Sequence, residues 1–144
     1  MNKYISLFSF TLLTLSVWAA PDDIIGVWME DKGTGKTEFY KVGNNKYKAK
    51  CAWLKNNVDK EGGPMRDRKN PNKSLRSQYI VGSHVMDLTY NPEKKRYNMD
   101  WAYDPSMGLA VDDSGYMTVS GDTITIKAGW AFIRVTKHMY REKR

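Results

Sequence analysis

One cysteine, two histidines and five prolines in 144 residues leave little room for several common kinds of chemistry. Cys51 alone excludes an intrachain disulfide even in an oxidising compartment, so stability must come from packing. With no histidine near it in sequence, it reads as a small buried apolar side chain rather than a nucleophile. His84 and His138 lack a second His or Cys at metal-ligand spacing, and neither a metal nor a cofactor is expected. Ser83 beside His84 makes no nucleophile–base pair, because neighbours on a strand point to opposite faces. His84 shares a register with Ile80, Met86 and Leu88, which predicts a hydrogen-bonded core histidine. Gly35-Lys36-Thr37 imitates the end of a phosphate loop, but Glu30 stands where the first glycine belongs and a strand follows. Asp112-Asp113-Ser114-Gly115 lacks the spaced oxygens of a calcium loop. With no catalytic motif among these residues, a non-enzymatic role is the expectation.

Long hydrophobic runs are also scarce. The one present, Ile5 to Val17, falls short of the roughly 20 residues that span a bilayer. Lys3 before it and Val17-Trp18-Ala19 after it make residues 1–19 an expected export signal, cut after Ala19 because Pro21 blocks a cut directly before itself. No cysteine stands at that junction to carry a lipid. The expectation is a soluble periplasmic or secreted protein with one domain over residues 20–144.

What the chain has in abundance is positive charge and aromatic and methionine side chains. The formal charge is +7, with seven basic residues against three acidic ones from Lys55 to Arg76 and five against one from Arg134 to Arg144. Outside the cytoplasm such clusters suit anionic envelope components rather than nucleic acid. Five tryptophans, nine tyrosines and eight methionines supply adaptable apolar surface with polar tips.

The rhythm after residue 22 is one of short strands. Tyr97, Met99, Trp101 and Tyr103 alternate with polar partners, as do Tyr47, Ala49, Cys51 and Trp53 with lysines. Turn chemistry between the runs predicts strands at 24–30, 36–43, 46–55, 79–90, 96–103, 107–111, 116–119, 123–128 and 130–140. Eight or nine antiparallel strands in hairpin order predict an all-β up-and-down barrel, because closure removes sticky edges. Alternation puts Trp53, Tyr97, Met99, Trp101 and Tyr103 inside, where they would line a pocket for a small apolar or amphipathic molecule. The segment from Asn56 to Gln78 is too long for a hairpin loop and is expected to cover one mouth. Asn72 would cap a helical turn, Leu75 would dock on the barrel, and Arg76 would bond a carboxylate such as Asp67 or a backbone carbonyl. The rival function is a filled barrel that meets anionic surfaces through Arg66, Arg68, Lys69, Lys73 and Arg76.

Gly26-Val27-Trp28, Tyr40-Lys41, Trp53-Leu54-Lys55, Asp67, Asn70-Pro71, Ser74-Leu75-Arg76, Gly82 and Tyr103-Asp104-Pro105 with Gly108 follow in the order of a known family. On these residues the chain resembles domain-of-unknown-function family 2147, small secreted bacterial proteins. The resemblance implies a lipocalin-like or fatty-acid-binding-protein-like barrel and no established activity. It also implies that Trp28 closes one end of the barrel beneath an arginine from the last strand, for which Arg134 and Arg141 are both candidates. The end departs from the family pattern, with Arg134-Val135-Thr136 and then Met139 where Gly-Arg-Thr commonly runs towards a Trp.

Overall fold

Period-two alternation and turn residues at each reversal produce eight antiparallel strands, each paired with its neighbours in sequence order, and the last closes on the first. The computed structural model describes residues 20–143, so the expected export signal lies outside the described residues. The strands are β1 (Gly26–Glu30), β2 (Gly35–Gly43), β3 (Lys46–Leu54), β4 (His84–Asn91), β5 (Arg96–Asp104), β6 (Leu109–Ser120), β7 (Thr123–Trp130) and β8 (Ile133–Arg141). Single 3-10 turns precede β1 at Pro21–Ile24 and interrupt the long loop at Lys73–Leu75.

The strands expected at 107–111 and 116–119 are one strand, β6. Its turn-like residues form a bulge: Asp112 faces Trp101 and Gly115 faces Met99, which leaves Asp113 and Ser114 opposite Asp100 alone. Asp113 takes φ +47° and Gly115 φ +152°. A Cβ on Gly115 would collide with the Lys127 backbone, so only glycine fits this crossing. Residues that usually reverse a chain here bend a strand instead. Tyr79 to Ser83, expected as the start of a strand, is the returning end of the long loop, joined by Ile80 N–H to Met65 O (3.0 Å) and Gly82 N–H to Cys51 O (2.7 Å).

One end of the barrel is shut. Ile24, Trp28, Phe39, Tyr47 and Tyr97 are each no more than 1% exposed there. Trp28 donates its indole N–H to Ile24 O (2.8 Å). Above the ring, 4.2 Å from its centre, lies the guanidinium of Arg141. Arg141 also donates to Ile25 O (3.0 Å) and Asp23 O (2.5 Å), tying the last strand to the first turn. Arg134 is far along β8 and bonds the carbonyls of Ala131 and Ile133 instead.

Tyr47 donates to Asp22 (2.6 Å) and Lys41 reaches the same carboxylate (3.0 Å), which holds the Asp22 carboxyl below its ordinary range. Burial and the neighbouring carboxylate push the Tyr47 phenol up. A depressed folded-state pKa contributes stability above the unfolded value of about 3.9, and that contribution disappears as pH falls through the lower folded value. Urea titrations below about pH 4 should therefore show Asp22→Asn losing less stability with acid than the parent. Parallel curves would deny Asp22 this role.

Candidate functional site

The opposite end carries the β1–β2 and β5–β6 turns, the β3–β4 loop and the tip of the β7–β8 hairpin. The loop is a tightly bonded cap. Met65, Ile80 and Val81 pack on the core. At its centre Asp67 is 0% exposed and accepts from Tyr103 Oη (2.6 Å), Asn70 Nδ2 (2.7 Å) and Gln78 Nε2 (3.3 Å). Burial first, then this carboxylate, pushes the Tyr103 phenol up. Asn72 caps the 3-10 turn through Ser74 N–H (3.1 Å).

Leu75 does not dock; it is 40% exposed, and Met65 and Ile80 supply the apolar anchor instead. Arg76 bonds Asn70 O (2.7 Å) and leaves Asp67 to neutral donors. Nor do the loop's cations form a free patch. Arg66 donates to Ser77 O and lies 4.7 Å over the Tyr79 ring, Arg68 pairs with Asp59 (3.4 Å), and Lys69 donates to Ser106 O (2.6 Å). Of the five, Lys73 alone has no such partner among the described residues.

The five aromatic and methionine positions expected inside do not stay together. Tyr97 and Met99 enter the core, 1% and 5% exposed. Ala52 bulges between the pairs Thr37–Cys51 and Lys36–Trp53, which reverses the alternation and turns Trp53 outwards beneath the Lys36 ammonium, 5.2 Å from its ring. Asp100 does the same between Leu88–Met99 and Asp87–Trp101. Trp101 therefore leaves the interior, and Ala102 takes its place against the core. Outside, Trp101 stacks on His84 (5.1 Å) and Tyr103 (6.0 Å), and the loop buries Tyr103 from without. His84, half-exposed, pairs with Asp87 (3.2 Å) and is not a core histidine. A bulge at Val85 carries it to the Lys50 side of the sheet.

The wall of the barrel parts on both sides of the β7–β8 hairpin. β6 and β7 pair only from Gly115–Ala128 onwards, and β8 meets β1 only from Met139 to Arg141. Beside the bulge lies an open groove of about 490 Å³, with Tyr116, Ala128 and Val135 as largely apolar contacts, Lys127 and Arg134 as cations and Asp113 as a carboxylate. Ser114 also lines it, and its enclosed hydroxyl has no hydrogen-bond partner among the described residues. A second open groove, of about 340 Å³, lies along Lys46, Lys48 and Asp87. Sequence reasoning did not find the larger groove. Its one legible signal was Gly115 among polar residues, which also reads as a turn.

Eight antiparallel strands in sequence order, shut at one end by a 3-10 turn, a tryptophan and an arginine and parted at the other, define a lipocalin-like barrel. The chain belongs to domain-of-unknown-function family 2147, described as an uncharacterized protein conserved in bacteria, whose profile matches residues 26–141. Among solved structures it is similar to protein HP1028 of Helicobacter pylori, described as belonging to the lipocalin family. That similarity has a TM-score of 0.65 at 19% identity and covers 83% of each chain. No curated protein matches it. Among the described residues no helix is long and apolar enough to cross a membrane.

Proposed function

We propose that the protein acts outside the cytoplasm, in the periplasm or secreted, as a non-enzymatic binding barrel for a small amphipathic molecule. The observation that carries this reading is the parting of β6 from β7 beside the bulge. It brings an apolar wall, two cations and one carboxylate, Asp113, together in one groove of about 490 Å³. That volume suits a small ligand, and a few polar groups set against apolar walls are what orients one. The molecule's tail would lie along Val135 and Ala128, and its polar or anionic head would meet Lys127 and Arg134. The barrel axis is the poorer site, since Tyr97, Met99 and Met117 are packed there. The loop cations are also a poorer site for an anionic surface, because most of them are spent on partners within the loop.

Native mass spectrometry of protein prepared from the cell envelope should show a small-molecule adduct. Calorimetric titration with dodecanoate should saturate, and Val135→Asp should weaken binding at least about tenfold, since it sets a charge against the apolar tail. Val135 is 41% exposed, so the variant should keep its fold. Absence of both adduct and saturation, or equal affinity in Val135→Asp, would defeat the proposal.

A further inference from the structure

The tip of the β7–β8 hairpin is built against the ordinary rules of a soluble turn. Trp130 pairs with Ile133 across a two-residue connection, Ala131-Phe132. Such turns favour Gly, Asn or Asp where φ is positive, yet Ala131 holds φ +51°. Phe132 is 94% exposed, with Trp130 at 52% and Ile133 at 47%. Twelve large hydrophobic side chains are exposed among the described residues, and apart from Ile25, Val42 and Tyr140 all belong to this end of the barrel. A backbone strained to project an aromatic side chain into water is an arrangement that function, rather than stability, explains.

Along this hairpin the charge has one sign, although the Asp113 carboxylate of β6 lies beside it in the groove. From Thr123 to Arg141 the chain holds Lys127, Arg134, Lys137 and Arg141 and neither Asp nor Glu. Arg141 is committed to the closed end, which leaves Lys127, Lys137 and Arg134, the last held to the turn by the carbonyls of Ala131 and Ile133, flanking the apolar tip. Aromatic and aliphatic side chains at a projecting point, on a hairpin that carries cations and no carboxylate of its own, complement the headgroup layer of an anionic bilayer. The cations meet lipid phosphates while Trp130 and Phe132 enter the interface, and the bare outer edges of the hairpin limit insertion to the headgroup layer. We infer that the β7–β8 tip docks the barrel, open end first, on an anionic lipid surface. Neither Trp130, Phe132 nor Ile133 lines the groove proposed for the small ligand, so the two readings can fail separately.

Flotation of the purified protein with vesicles of phosphatidylglycerol and phosphatidylethanolamine tests the inference, with phosphatidylcholine vesicles as the neutral comparison. The protein should float with the anionic vesicles only, and its tryptophan emission should move to the blue, a shift absent from Trp130→Phe. Phe132→Asp should reduce partitioning about tenfold or more while leaving the circular dichroism unchanged, because the side chain touches so little of the barrel. Lys127→Gln combined with Lys137→Gln should weaken flotation and reduce its sensitivity to salt. Failure of the parent protein to float with anionic vesicles would overturn the inference, as would equal flotation of Phe132→Asp. Self-association in analytical centrifugation that Phe132→Asp abolishes, without vesicle binding, would overturn it in favour of a second copy of the chain.

Discussion

Trp28→Ala should destabilise the barrel by about 3 to 5 kcal/mol, the range for truncating a fully buried aromatic residue. The side chain is 0% exposed and stands where β1, β8 and the first 3-10 turn converge. Its loss would open a cavity, orphan Ile24 O and leave the Arg141 guanidinium without the ring beneath it. Trp28→Phe separates these effects. It keeps an aromatic face for the cation but removes the indole N–H, and should cost about 1 to 2 kcal/mol beyond the lost volume. Urea unfolding followed by circular dichroism, which does not depend on the deleted fluorophore, supplies the comparison. A loss below about 1 kcal/mol for Trp28→Ala would mean that the closed end is held by something other than this residue.

The second large effect is expected at Asp67, with a different signature. Removing its carboxylate leaves Tyr103 Oη, Asn70 Nδ2 and Gln78 Nε2 without their common acceptor inside the cap. Each buried donor left unsatisfied costs about 1 to 3 kcal/mol, so Asp67→Ala should release the loop before the barrel unfolds. Trypsin should then cut at Arg66, Arg68, Lys69, Lys73 or Arg76 at rates well above the parent's, leaving the strands intact. Asp67→Asn should be nearly as damaging, because its amide sets a donor against donors. Equal resistance of parent and Asp67→Ala would show that Met65 and Ile80 alone hold the loop.

The fold was legible because its cause is local. Alternation such as Tyr97-Asn98-Met99-Asp100, with turn formers like Gly43-Asn44-Asn45, specifies half-buried strands and tight reversals, and hairpins in succession leave closure as the means of satisfying both edges. The ordered loop was legible for a similar reason: Asn72 carries a cap signal, and Asp67 and Arg76 announce polar contacts within a few residues. The groove and the tip were not. Gly115 reads alike in a turn and in a bulge, and Trp130-Ala131-Phe132-Ile133 reads alike whether a neighbouring strand covers it or ends short.

The amino-acid sequence alone determined the all-β class, the hairpin order, the long loop and the absence of a disulfide. Only the tertiary structure decided which side of the wall each aromatic residue occupies, because a bulge of one residue at Ala52 or Asp100 inverts every position beyond it without altering the pattern that precedes it. It decided as well that Arg141, and not Arg134, covers Trp28, since that depends on how far β8 runs along β1 before the pairing stops. Most of the loop's cations likewise found partners through chain paths that no spacing records.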